Sequence, residues 1–182
     1  MRPSLSCLLS ISFFFTLFFH GAKSTNNLVP KTCKQMVQGD PQLRYNFCIA
    51  ALEGPASKNH VNDLQGLGLV AGNLIKANAS GIFSHIETLL KQKGLEPFYK
   101  GCLLDCQELY SGAIDEVRSA IDAFNLKDYF SANIRGSGVM DDSVTCEDGF
   151  KEKKGVVSPL TKMNDDMFQL CVIFLSITNM FH

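Results

Sequence analysis

The chain has 182 residues, 19% of them charged, with 17 Lys and Arg against 18 Asp and Glu and a formal net charge of −1. That balance argues against the basic footprint of a nucleic-acid binder or of a protein drawn to an anionic membrane surface. Seven cysteines make the redox compartment the first question.

The opening segment, MRPSLSCLLSISFFFTLFFHGAKS, reads as a secretory signal. Arg2 supplies the positive start, Leu8 to Phe19 is apolar except for Ser10, Ser12 and Thr16, and Ala22 and Ser24 form an A-x-S cleavage site. The apolar run is shorter than the roughly 20 residues of a spanning helix. The expected layout is a signal over 1–24 and one domain over 25–182, with a helical hairpin at about 25–55 and a bundle at about 60–182. Without Arg2 and Lys23, 15 basic side chains remain against 18 acidic ones, a net charge of −3. Six cysteines also remain: Cys33, Cys48, Cys102, Cys106, Cys146 and Cys171. An even number in an oxidising compartment points to disulfides, but sequence alone does not choose the partners.

Two short helical pieces, Lys31–Gln38 and Gln42–Glu53, flank Gly39-Asp40-Pro41 and form the hairpin. The next apolar stripe runs Leu67, Ala71, Leu74, Ile82, Ile86 and Leu89, with Asn78 on the same line. Asn62 and Gln65 are the expected capping pair of this helix. Asn78-Ala79-Ser80 is the N-x-S/T sequon of the mature chain and makes Asn78 a candidate glycan acceptor. Gly66, Gly68 and Gly72 suit close helix packing or, in a small-ligand carrier, the lining of a gap. Gly94 and Pro97 break the chain before a second stripe, Cys106, Leu109, Ala113, Val117, Ala120 and Phe124.

Asn125-Leu126 precedes a third long helix, expected from Lys127 to about Phe150. Glu147 and Lys151 are spaced for an i,i+4 pair. Lys151-Glu152-Lys153-Lys154 reads as an exposed connection, and Ser158-Pro159 as an N-cap and first helical residue. Leu160 to Met180 closes the chain with Met163, Met167, Leu170, Cys171, Phe174 and Leu175 at helical spacing. No sustained alternation or hairpin signal indicates strands. The reading is all-α, an up-down four-helix bundle with an N-terminal helical hairpin.

Reactive constellations are missing from the sequence. His60, His85 and His182 are the histidines past the signal, and no G-x-S-x-G, H-E-x-x-H or P-loop pattern occurs. The neighbouring carboxylates Asp141-Asp142, Glu147-Asp148 and Asp165-Asp166 point about 100° apart on a helix, which suits solvation better than acid–base work. Cys102 and Cys106 have metal-ligand spacing, but no local His or Cys completes a site. The expectation is no catalytic residue, no cofactor and no metal; the protein acts by binding another protein.

Several blocks carry a resemblance: Asp63-Leu-Gln-Gly-Leu-Gly68, Asp105-Cys106 with Leu109-Tyr110, Lys127-Asp128-Tyr129, and Asp141-Asp-Ser-Val-Thr-Cys-Glu-Asp-Gly-Phe-Lys-Glu-Lys-Lys-Gly155. Over essentially the whole mature chain, the sequence resembles the plant invertase and pectin methylesterase inhibitors, in particular the invertase-inhibitor group that includes plane-tree pollen allergens. The resemblance implies disulfides Cys33–Cys48 and Cys106–Cys146, with Cys171 a free buried thiol. Cys102 departs from the family pattern: it could compete for Cys146, pair with Cys171, or stay reduced. The resemblance also implies secretion to the apoplast or cell wall, with the vacuole as the other destination. Its implied target is a plant invertase or, alternatively, a pectin methylesterase. In the invertase-inhibiting branch a Pro-Lys-Phe motif enters the substrate cleft. The corresponding residues here are Lys127, Asp128, Tyr129 and Phe130, which keep a lysine and an aromatic but not the exact motif. A non-inhibitory bundle is the third alternative.

Overall fold

The computed structural model describes residues 27–55 and 62–181. The expected signal over 1–24, His60 and His182 lie outside them. Six helices follow in order: α1 Leu28–Gly39, α2 Tyr45–Leu52, α3 Leu64–Leu90, α4 Pro97–Asn125, α5 Tyr129–Lys151 and α6 Thr161–Asn179. In the up-down bundle, α3 packs on α4, α4 on α5, α5 on α6, and α6 back on α3. The shorter α1 and α2 form the hairpin, which rests on α3 and α6. No helix among the described residues is long and apolar enough to cross a membrane.

The apolar stripes become the core. Leu67, Ala71, Ile82 and Ile86 of α3 are buried against Val117, Ala120 and Phe124 of α4, with Phe150 of α5 and Ile173, Phe174 and Ile177 of α6. Where helices approach most closely, glycine removes the obstacle. A Cβ on Gly68 would lie 2.2 Å from Phe124 Cζ, and one on Gly136 2.9 Å from Phe174 Cδ1. The space beside Gly68 and Gly72 is filled by Phe124 and Ile121, so these glycines serve packing.

Two disulfides staple the fold. Cys33–Cys48 joins α1 to α2 across a sequence separation of 15, and Cys106–Cys146 joins α4 to α5 across 40. On a chain-entropy model they contribute about 3 and about 4 kcal/mol respectively. Cys102 and Cys171 are buried and free; Cys102 Sγ lies 3.5 Å from the Gly149 carbonyl oxygen. The hairpin has a polar anchor as well. Arg44 N–H donates to Gln169 Oε1 (2.8 Å), Gln169 Nε2 donates to the Gln42 carbonyl (2.8 Å), and the Arg44 guanidinium grips both oxygens of Asp165.

Several helix ends differ from the sequence reading. Asp63, not Asn62, caps α3, accepting from Gly66 N–H at 2.8 Å. The second long helix starts at Pro97, so this proline opens α4 instead of separating it from α3. The third starts at Tyr129, two residues after Lys127. Ser158 Oγ accepts from Leu160 N–H, but α6 begins only at Thr161 because Pro159 and Leu160 form a turn first. Lys151 pairs with Asp148, not Glu147; Glu147 turns toward α6 and accepts from Thr161 and Asn164.

Candidate functional site

The α4–α5 connection is set by backbone hydrogen bonds. Lys127 N–H donates to the Phe124 carbonyl (3.0 Å) and Asp128 N–H to the Ala123 carbonyl (2.9 Å), the paired bonds of a Schellman helix end. This motif requires a left-handed residue, and Lys127 takes it with φ 62°. At the far end of the bundle the left-handed positions are Gly94 (φ 77°) and Gly155 (φ 86°). Glycine adopts that conformation freely, whereas a lysine incurs a cost of about 1 kcal/mol. Asp128 then caps α5, accepting from Ser131 N–H at 3.1 Å. Hydrogen bonding from Ser131 holds the Asp128 carboxyl below its ordinary value, helped by the nearby Arg135 charge.

A clamp from two other helices fixes the turn from beneath. Tyr129 stacks on Phe181, ring centroids 4.2 Å apart and planes 10° from parallel. Phe124 meets Tyr129 and Phe181 edge-on at 5.3 and 5.8 Å. Tyr129 Oη–H donates to Gln65 Oε1 (2.9 Å), while Gln65 Nε2 donates to the Phe124 carbonyl (3.1 Å), the acceptor that also holds Lys127 N–H.

The four residues expected to form the site therefore divide. Tyr129 is half-buried in the clamp and Asp128 is committed to the cap. Lys127 and Phe130 face solvent; Phe130 is 67% exposed, and Lys127 forms no ion pair among the described residues. Two apolar neighbours were not singled out from sequence: Leu126 is 81% exposed and Ile134 56% exposed. Ile134 stands one turn after Phe130, so the i,i+4 spacing was the available signal. Leu126 was hidden as a break residue between stripes. Together they give a cation set among three exposed apolar side chains on a braced turn.

Asn78 lies within α3, half-buried, with its Oδ1 enclosed and without a hydrogen-bond partner. His85 is exposed on the same helix. No group of three or more His, Cys, Asp or Glu suited to a metal ion occurs among the described residues.

These features define a disulfide-stapled four-helix bundle with an N-terminal helical hairpin. The chain belongs to the plant invertase/pectin methylesterase inhibitor family, whose model matches residues 27–177. It is a non-catalytic inhibitor-type domain. It is 47% identical over 176 residues to a Platanus acerifolia protein named "Putative invertase inhibitor", covering 97% of both chains. It is also 31% identical over 166 residues to "Pectinesterase inhibitor 12" of Arabidopsis thaliana, covering 91% of this chain and 94% of that one. Among solved structures, a mutant form of a pectin methylesterase inhibitor from Arabidopsis superposes with a TM-score of 0.69 at 24% identity, over 80% of this chain and 96% of that one. That likeness concerns the fold alone.

Proposed function

We propose that this protein is a secreted inhibitor of a plant invertase and that the α4–α5 turn enters the target's substrate cleft. The observation that carries the reading is Lys127, a charged residue in a left-handed position where glycine serves the fold better, exposed between Leu126 and Phe130. Glycoside hydrolases generally use a pair of carboxylates. A lysine ammonium facing that pair is electrostatically matched to it, and the aromatic Phe130 suits a sugar subsite. The Phe181–Tyr129–Gln65 clamp prepares the turn, so little ordering cost remains on binding. The likeness to the Platanus protein supports invertase as the target. Two disulfides suit an oxidising extracellular compartment such as the apoplast.

Pectin methylesterase is the second reading, favoured by the 31% identity to a pectinesterase inhibitor. Residual activity of a cell-wall invertase and of a pectin methylesterase, each mixed with the oxidised protein at mildly acidic pH, separates the two. Loss of invertase activity alone is the expected result. The double variant Lys127→Ala/Phe130→Ala should then lose inhibition while keeping its thermal midpoint. Loss of methylesterase activity alone would move the function to the second reading.

A further inference from the structure

Neither the core nor the α4–α5 turn accounts for Asn78. It falls on the apolar line of α3 between Leu74 and Ile82, where leucine or alanine would serve both helix and core better. Its Oδ1 is enclosed and without a hydrogen-bond partner, an arrangement that costs the folded state. The nitrogen end of the same amide behaves differently. The side chain is only half-buried, and Nδ2, which has no partner among the described residues either, is not enclosed and opens to solvent.

Two positions on, Ser80 completes the sequon Asn78-Ala79-Ser80. In the folded helix its hydroxyl donates to the Lys76 carbonyl at 3.0 Å. The neighbours Ala77, Ser80 and Gly81 are small and exposed, and nothing lies within 4 Å of a Cβ built on Gly81. A bulky group on Nδ2 therefore meets open space. Asn78 stands about 100° round α3 from Gly68 and Gly72, the residues that face α4. Since α3 packs on α4 and α6, with α5 diagonally across the bundle, such a group projects away from the α4–α5 face. Along the helix it is 13 residues from Gln65 of the clamp, roughly 20 Å.

We infer that Asn78 carries an N-linked glycan, and that α3 keeps an ill-fitting asparagine because the sugar uses its outward nitrogen. The donor is a polyprenyl-diphosphate oligosaccharide. In the transfer, the bond between sugar C1 and the diphosphate oxygen breaks and a bond from C1 to Asn78 Nδ2 forms. Nδ2 gives up one proton, the lipid diphosphate leaves, and nothing is oxidised or reduced. Oδ1 stays inside in the product, so the core packs alike with and without the sugar. Because α3 takes up the Ser80 hydroxyl, the sequon is read before the helix closes, during export. The inference rests on the secretion included in the proposed function and not on which enzyme is inhibited.

The test is intact mass and peptide mapping of the full chain made in plant leaf cells. It is made once with its own residues 1–24 and once with these replaced by a leader of known export. Peptide N-glycosidase A in heavy-oxygen water should lower the intact mass by one oligosaccharide and leave a labelled aspartate at position 78. Asn78→Gln and Ser80→Ala should both appear at the bare polypeptide mass. Ser80→Ala keeps the asparagine and its packing, so it separates a lost glycan from a disturbed fold. Bare polypeptide mass for the parent behind the leader of known export would overturn the inference. So would an oligosaccharide released by the same enzyme from Asn78→Gln. If the native residues 1–24 give no export while the exchanged leader gives glycosylated protein, the secretion reading fails and the glycan site stands.

Discussion

Phe181, at the C-terminal end of the described chain, lies flat against Tyr129 at the first position of α5, 4.2 Å between ring centres. The turn that follows α6 thereby holds the α4–α5 turn in place. Phe181→Ala should loosen that turn, giving faster amide exchange at Lys127 and Asp128 and a weaker inhibition constant. Global stability should fall by only about 1 kcal/mol, the scale of one aromatic pair. Phe181→Tyr should restore both readouts. Unchanged exchange at Lys127 would show that Gln65 alone suffices.

Lys127→Gly separates stability from function. Glycine relieves the left-handed strain, partly offset by its freer unfolded chain. Denaturant unfolding should show a gain of about 0.5–1 kcal/mol. Inhibition should drop, because the cation is gone. A variant both less stable and fully inhibitory would reverse the reading of this position.

Gly68→Ala presses a methyl group into the Phe124 ring, which is fully buried and touches Phe174. Overpacking of this kind costs about 1–3 kcal/mol. Phe124 also supports the clamp, so inhibition should weaken together with the thermal midpoint. The Gly81→Ala control, with open space around its Cβ position, should gain stability instead, as alanine favours a helix interior.

Asp142 offers a pH test. Burial, reinforced by Asp141 and by Glu116 on α4, pushes its carboxyl up to about 6. A raised carboxyl binds its proton more tightly in the folded state. Its charged form therefore destabilises the fold above that value, and the penalty disappears as pH falls toward about 4. Asp142→Asn should be more stable than the parent by about 1 kcal/mol at pH 7, allowing for solvent screening of a half-buried group. The difference should vanish near pH 4. A constant difference across that range would mean that packing, not charge, governs the site.

Reduction should act mainly through the longer loop. Cys106→Ser/Cys146→Ser should cost about 4 kcal/mol and Cys33→Ser/Cys48→Ser about 3. Thiol labelling of the native protein should leave Cys102 and Cys171 largely unreacted, as both are buried and burial raises their thiols. Rapid labelling of Cys171 in native protein would contradict its enclosure in α6.

The bundle was legible because long helices with one apolar stripe leave little choice of architecture. Leu67, Ala71, Ile82 and Ile86 announced α3, and Val117, Ala120 and Phe124 announced α4. The ends were less legible. Asp63 and Asn62 are both good caps, and only the chain path selects Asp63. Glu147 sits four residues before Lys151, yet the tertiary partners Thr161 and Asn164 take it instead. The candidate turn was visible as a lysine beside aromatics. Which of them faces out was not, because Tyr129 and Phe130 differ only in the α6 neighbour that covers one of them. Phe181 lies 52 positions from Tyr129 in sequence, and no local pattern connects the two.

The length of α5 has a consequence for engineering. Side chains at its two ends lie roughly 35 Å apart for 23 residues, and substitutions that far apart change stability nearly additively. The α4–α5 turn can therefore be rebuilt without disturbing the α5–α6 connection, and the converse holds.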